Sequence, residues 1–222
     1  MILYGVKQGK YYNIDNFKQE LSDMEENGFQ RKIYINVTNK CNCACTFCLR
    51  NTKEMNEHNN LWLEHDTTAE EIITAFEQYD WSNLEEVIFC GFGEPTMCID
   101  VVLEAARYLK GKHPEIPIRM NTNGSGNRHN NRDITKELKG LIDTISISLN
   151  ASNAQKYYEI TRSRYGEEAY EDMLDFAVKC KQYIPNVVLS IVDCIGEEEI
   201  AACRKVCQER NLTLRVRPFE KN

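Results

Sequence analysis

From Lys32 onward, short β-branched runs alternate with helical patterns, and that alternation limits the fold more than any other feature of the chain. The runs are Lys32–Thr38, Glu86–Cys90, Ile116–Thr122, Thr144–Asn150, Asn186–Cys194 and Leu212–Arg217. Between them lie helical patterns at Thr68–Tyr79, Cys98–Lys112, Ile134–Gly140, Ser152–Ile160 with Glu167–Ile184, and Glu197–Arg210. Strands separated by helices of this length argue for βαβ units and a parallel sheet, hence an α/β protein. An antiparallel sheet with one solvated face is the alternative, but the intervening helices make parallel crossovers the simpler topology. The first 31 residues stand apart: a hairpin over Ile2–Ile14 turning at Gln8-Gly9, then a charged helix over Phe17–Glu26. The expected organisation is an extension over 1–31 and a core domain over 32–222.

Several strands carry a polar residue at every second position. Tyr34, Asn36 and Thr38 alternate with Ile33, Ile35 and Val37; Arg119, Asn121 and Asn123 with Ile118 and Met120. Ser146, Ser148 and Asn150 alternate with Ile145, Ile147 and Leu149; Arg215 and Arg217 with Leu214 and Val216. If helices cover the apolar sides, the polar sides share a wet or ligand-filled interior.

Directly after the first of these strands the chain reads Cys41-Asn42-Cys43-Ala44-Cys45-Thr46-Phe47-Cys48. Cys41, Cys45 and Cys48 supply three thiolates at C-x3-C-x2-C spacing, with Cys43 between them. Three thiolates fit an iron–sulfur cluster with one iron left open. A zinc site completed by Cys43 or His58 is the alternative. The chain has ten cysteines among 222 residues, too long a chain to need disulfide staples. It has no signal-peptide pattern and no apolar run of membrane-spanning length. Both points fit a cytoplasmic protein with reduced thiols. A net charge of −7 disfavours nonspecific nucleic-acid binding.

The second strand ends in Gly91-Phe92-Gly93-Glu94-Pro95, a turn where backbone can approach a ligand closely. Ligands in α/β folds collect at the carboxyl ends of strands. Elsewhere, Cys180, Cys203 and Cys207 fall on apolar helix stripes and read as core. Cys194 ends a strand and is the candidate for an extra functional thiol. His58, His65, His113 and His129 read as surface residues. Glu197-Glu198-Glu199 reads as a helix N-terminus favoured by the macrodipole.

Cys41-x3-Cys45-x2-Cys48 with its aromatic Phe47, followed by Gly93-Glu94-Pro95, resembles the radical S-adenosylmethionine (SAM) enzymes. The likeness spans about residues 32–218. Ile160-Thr161-Arg162-Ser163 and Arg215-Val216-Arg217-Pro218 make the chain similar to the small radical SAM proteins associated with TatD-family hydrolases. The resemblance implies a partial (β/α)6 TIM-like barrel with parallel strands, a 4Fe–4S cluster on Cys41, Cys45 and Cys48, and SAM on the open iron. It also implies that Phe47 packs near the adenine, and that the Gly91-Phe92-Gly93 backbone, braced by Glu94, holds the methionine amino group. Ser148, Asn150 and Asn123 are placed for ribose, carboxylate or other cofactor contacts. The resemblance further implies that Arg162 pairs with the methionine carboxylate and that Ile195 lines the adenine. Phe92 stands where the family often has a second glycine, and Cys43 is an extra thiol.

The implied activity is reductive cleavage of SAM, giving a 5′-deoxyadenosyl radical that abstracts hydrogen from a substrate. An electron donor such as flavodoxin or ferredoxin is expected. Arg119, Arg215 and Arg217 suggest an anionic group on the substrate. The chain ends just after the sixth strand, so the substrate, a partner, or Asn51–His65 is expected to cap the lumen, which suits a peptide or protein substrate. An activating enzyme for a glycyl-radical partner is an alternative; a non-catalytic zinc or iron–sulfur module is another, from a different class.

Overall fold

A computed structural model of the chain describes residues 1–7, 9–14, 31–52, 60–79, 81 and 84–219. In chain order the elements are β1 (Leu3–Lys7), β2 (Lys10–Asn13), β3 (Lys32–Ile35), α1 (Leu49–Thr52), α2 (Ala69–Glu77), β4 (Glu86–Phe89), α3 (Ile99–Lys112), β5 (Ile118–Thr122), α4 (Gly126–Asn130), β6 (Thr144–Ser148), α5 (Ala154–Thr161), α6 (Glu168–Cys180), β7 (Asn186–Val192), α7 (Glu197–Glu209) and β8 (Thr213–Arg217). They fall into two compact units. The first takes Met1–Lys40 and Glu54–Met120, the second Cys41–Lys53 and Asn121–Asn222.

In the first unit, β3 pairs in parallel with β4, Lys32 opposite Glu86, and β4 in parallel with β5, Val87 opposite Ile118. The expected hairpin is present: β1 and β2 are antiparallel with Lys7 opposite Lys10. Gly9 turns with φ +73°, a conformation glycine adopts at no steric cost. Gln8 lies outside the described residues. β1 also pairs antiparallel with β3, which extends the sheet. Thr68 starts α2 with a full capping box, exchanging hydrogen bonds with Glu71. That helix buries Ala69, Ile72 and Phe76, and α3 buries Val102, Leu103, Ala105, Ala106 and Leu109 on one stripe.

In the second unit, β6, β7 and β8 are parallel, with Ile145 opposite Val187 and Leu189 opposite Leu214. Ile145, Ile147, Leu149, Leu189 and Ile191 are fully buried. On α6, Met173, Phe176, Ala177 and Cys180 recur at helical spacing and are buried.

All six expected strands form, each trimmed by one or more residues at an end. The helix expected over Ile134–Gly140 does not form. Ile134, Leu138 and Ile142 are buried at four-residue spacing, which mimics a helix face. Side chains take the local donors instead: Asn127 Oδ1 accepts from the Ile134 amide at 2.9 Å, and Asp133 accepts from the Thr135 amide and hydroxyl at 3.1 and 2.6 Å. The segment closes in turns and ends at Gly140 with φ +74°. The helix expected at Phe17–Glu26 lies outside the described residues, as does His58. Among the described residues, no helix is long and apolar enough to cross a membrane.

Candidate functional site

In the second unit the cysteine loop lies along the carboxyl end of α5. The Ala44 and Thr46 amides donate to the Thr161 and Ile160 carbonyls, each at 2.9 Å, and the Arg164 amide donates to the Asn42 carbonyl at 2.9 Å. Cys48 leads into α1, its carbonyl accepting from Asn51 at 2.8 Å. Cys41, Cys45 and Cys48 are partly exposed, as is Phe47, whereas Cys43 is 7% exposed. The Cys43 amide donates to Cys41 Sγ at 3.5 Å. Hydrogen bonding to Cys41 and Cys45, together with burial, raises the Cys43 pKa, while its hydrogen bond with Cys43 lowers that of Cys45 against the opposing effect of burial.

After β5, Asn123 reaches the same loop. Its Nδ2 lies 2.6 Å from Asn42 Oδ1, 3.6 Å from Cys43 Sγ and 3.9 Å from Cys41 Sγ. Its Oδ1 accepts from the Ser125 amide at 3.0 Å and the Ser125 hydroxyl at 2.6 Å. Asn42 Nδ2 in turn donates to Ser125 Oγ. Gly124 makes the turn possible, with φ +81°; a Cβ there would sit 2.6 Å from Met173 Cγ. The cysteine spacing gave no sign of the parts played by Asn42 and Ser125. Ser125 lies in the polar run Asn121-Thr122-Asn123-Gly124-Ser125-Gly126-Asn127 after the third strand, a signal for it; Asn42 had none.

Of the other expected residues of this unit, Ser148, Asn150, Ile195 and Arg217 stand at carboxyl ends of strands, where α/β enzymes bind ligands, whereas Arg162 ends a helix and Arg215 lies within β8. Ser148 closes β6 opposite Ser190. Asn150 follows with φ +59° and is 3% exposed; its Oδ1 has no hydrogen-bond partner among the described residues. Arg162 caps α5 in the left-handed region, φ +47°, its amide donating to the Tyr158 carbonyl at 2.8 Å. Ile195 is partly exposed just beyond β7, and its neighbour Cys194 is exposed. On β8, Arg215 is exposed. Arg217 is half-buried, and its buried Nε has no hydrogen-bond partner among the described residues.

In the first unit, the glycine turn packs on the end of β3. A Cβ on Gly91 would fall 2.0 Å from Asn36 Oδ1, and one on Gly93 2.1 Å from the Thr38 carbonyl oxygen. The Glu94 amide donates to the Lys40 carbonyl at 2.8 Å, the residue before Cys41 in the chain. The Glu94 carboxylate is 3% exposed and accepts from the Thr96 amide and hydroxyl at 3.0 and 2.7 Å, so it braces the turn from inside. Tyr4 on β1 donates its hydroxyl to the Cys90 carbonyl at 3.0 Å. Phe92 is buried against Trp62, ring centres 5.1 Å apart.

Two polar strand faces are spent on protein rather than left open to a lumen. Asn36 donates to the Leu61 carbonyl at 2.6 Å, Asn39 to the Leu63 carbonyl at 2.7 Å, and Thr38 to Asp66 at 2.6 Å. These bonds tie residues 61–66 to the chain just before Cys41. Arg119 pairs with Glu86, Nε and Nη2 lying 2.8 and 2.7 Å from one carboxylate oxygen.

Among the described residues, no three Cys, His, Asp or Glu side chains form a cage for a single ion. A cubane needs no such cage, because each of its three thiolates binds a different iron. The donor set fits one: three partly exposed thiols on one short loop, with the Asn123 amide nitrogen 3.9 Å from the Cys41 sulfur. Two buried polar atoms without partners among the described residues, Asn150 Oδ1 and Arg217 Nε, fit a polar ligand at the strand ends.

Residues 35–202 match the Radical SAM superfamily. A Methanocaldococcus jannaschii protein named as a glycyl-radical enzyme activating enzyme is 30% identical over 178 residues, 78% of this chain and 67% of that one. A GTP 3′,8-cyclase of Corynebacterium glutamicum is 23% identical over 83% of this chain and 48% of its own. The crystal structure of HydG, a maturase of the FeFe hydrogenase, aligns with a TM-score of 0.56 at 14% identity, covering 93% of this chain and 47% of that one. The chain thus spans about half the length of the cyclase and of HydG. The HydG likeness supports the α/β fold with a mostly parallel sheet, a partial barrel of the kind expected from the sequence. With the thiol loop, its strand context and this match in agreement, the chain belongs to the radical SAM superfamily, whose enzymes use a 4Fe–4S cluster and SAM.

Proposed function

We propose that this protein binds a 4Fe–4S cluster through Cys41, Cys45 and Cys48, cleaves SAM reductively, and abstracts hydrogen from a peptide or protein substrate. The observation that carries the reading is the loop itself: three partly exposed thiols at C-x3-C-x2-C spacing, fastened to the end of α5. When bound, the cluster and SAM supply an electron and a 5′-deoxyadenosyl radical.

The chain's own residues position and shield that chemistry. Phe47 packs on the adenine and Ile195 lines it. The Gly91-Phe92-Gly93 backbone holds the methionine amino group, with Glu94 keeping the turn in shape. Asn150 Oδ1 accepts from a ribose hydroxyl, which gives that buried atom its partner. Ser148 stands beside it, and Arg162 pairs with the methionine carboxylate. Of the arginines, Arg217 is best suited to an anionic substrate group because its Nε is buried without a partner among the described residues. Arg215 can join it, whereas Arg119 would first have to leave Glu86.

Activation of a glycyl-radical partner is the second reading, favoured by the 30% identity to the Methanocaldococcus protein. A cytoplasmic location, a flavodoxin- or ferredoxin-type donor and a functional link to TatD-family hydrolases complete the proposal.

Anaerobic reconstitution tests the central step. About four irons per chain and 5′-deoxyadenosine from SAM with dithionite are expected. Zinc without iron, or iron without 5′-deoxyadenosine, overturns the reading. An EPR signal of a protein-borne glycyl radical, formed on adding a glycyl-radical enzyme, selects the second reading over the first.

A further inference from the structure

The rim of the cysteine loop carries a charge opposite to that of the chain as a whole. Segments 41–52 and 160–165 are joined by the backbone bonds of Ala44, Thr46 and Arg164. They contain Arg50, Arg162 and Arg164 and no Asp or Glu, in a chain of net charge −7. Arg50 stands close enough to Cys45 for its charge to act on the thiol. Arg162 and Arg164 are exposed, and neither has an ion pair among the described residues. By contrast, Arg128 is answered by Asp172 and Glu168, and Arg132 by Glu137. Arg164 is also held in place. Its guanidinium lies over the Tyr165 ring, 5.5 Å from the centre, and its amide donates to the Asn42 carbonyl at 2.9 Å. An arginine stacked on a ring loses less freedom on meeting a partner than a loose one.

Beside these charges stands an exposed aromatic. Tyr158, on the last turn of α5, is 43% exposed, and no hydrogen bond or ring contact engages its side chain among the described residues. It lies four residues before Arg162 and so on the same face, whereas Tyr157 and Thr161 are 1% exposed and belong to the core. On the loop itself, Ala44 and Thr46 are exposed as well. Tyr and Arg standing together at a surface are the anchors that protein interfaces favour.

We infer that Tyr158, Arg164 and the outer side of the cysteine loop form the docking surface for a one-electron donor protein with an acidic surface. The inference rests on the reading given under Proposed function and adds where the donor lands and what selects it. One electron leaves the donor and enters the cluster, and no bond forms or breaks. The net negative charge of the chain repels an acidic donor from other approaches. The basic rim therefore steers the encounter to the face where the thiols reach solvent.

The test is electron exchange between reconstituted, reduced protein and oxidised flavodoxin, an acidic one-electron carrier. Stopped-flow absorbance follows the flavodoxin semiquinone, with iron counted in every sample. This direction uses the same surface and needs neither SAM nor substrate. Arg164→Glu is expected to slow the second-order rate about tenfold at low salt. The gap is expected to close at about 1 M salt, where charges are screened within roughly 3 Å. Tyr158→Ala is expected to slow the exchange at either salt concentration. Oxidation by a neutral quinone is expected to be unchanged in both variants. Equal flavodoxin rates for wild type and Arg164→Glu overturn the inference, hand the surface to an acidic substrate and leave the proposed function standing. If Arg164→Glu holds fewer irons, or slows both oxidants alike, Tyr158→Ala decides: a loss confined to flavodoxin supports the surface, and an unchanged rate overturns it. A wild-type protein that assembles no 4Fe–4S cluster overturns the function and this inference together.

Discussion

The thiols of the loop after β3 and those of α6 and α7 share one chemistry and differ in surroundings. Cys41, Cys45 and Cys48 are partly exposed on a loop whose backbone is pinned by the Thr161, Ile160 and Arg164 hydrogen bonds. Cys180, Cys203 and Cys207 are at most 2% exposed, on stripes that also carry Met173, Phe176 and Ile200. Burial pushes the Cys203 thiol up to about 12 and Cys207 up to about 11, from an ordinary value near 9.0. In the loop, hydrogen bonding with Cys43 moves Cys45 the other way. The helix thiols behave as small hydrophobes, whereas the three loop thiols remain within reach of solvent.

Removing ligands breaks the comparison hardest. Cys41→Ala, Cys45→Ala or Cys48→Ala is expected to lose the intact cluster and cut SAM cleavage by more than ~100-fold, the upper range for outer-shell changes at metal sites. Cys203→Ala is expected to keep its iron count and SAM cleavage. Iron and 5′-deoxyadenosine assays check both, and a helix variant that loses its iron would erase the distinction.

Alkylation of iron-free protein sharpens it. A thiol at about 12 holds roughly a thousandfold less thiolate at pH 8 than one at 9.0, by the pKa difference alone. Cys45 and the exposed Cys194 are therefore expected to react with iodoacetamide while Cys180, Cys203 and Cys207 stay unlabelled, as mapped by peptide mass spectrometry.

Cys43 sits on the border between the groups, inside the loop yet 7% exposed. Cys43→Ala is expected to retain four irons and to cost about 1 kcal/mol of stability, a small cavity's worth, in urea unfolding. Loss of iron would move it among the ligands.

The mildest effect is on pH. Between about 9 and 12 the folded chain keeps the Cys203 proton that the unfolded chain releases. The folded state then binds more protons, so this contribution to stability falls as pH rises through that window. The urea midpoint should decline between about pH 8.5 and pH 10.5, and less steeply in Cys203→Ala.

The strands were legible because period-2 alternation marks β3, β5, β6 and β8, and because β4 and β7 are short apolar runs between helical patterns. The thiol loop and the glycine turn were legible because their spacing carries their chemistry. Other roles depend on who arrives across the fold. Asn36 and Thr38 look like lumen-facing residues until the Leu61 carbonyl and Asp66 appear beside them. Arg119 looks free until Glu86 of the neighbouring strand is placed in reach. Ile134–Gly140 has helical spacing in its apolar residues, yet Asn127 and Asp133 intercept the amides a helix would need. Asn42, inside the thiol motif, shows its use only when Ser125 folds against it.

Arg162 closes α5 in a backbone conformation that glycine adopts without strain and arginine does not. Arg162→Gly is therefore expected to raise stability by up to ~1 kcal/mol while weakening SAM binding under the proposed role. A library of variants sorted only for heat resistance would enrich that change and discard activity in the same step. Sorted in parallel for heat resistance and for 5′-deoxyadenosine, the same library would mark position 162 by the disagreement between its two rankings, and other residues held in place for chemistry at a cost to the fold would stand out in the same way.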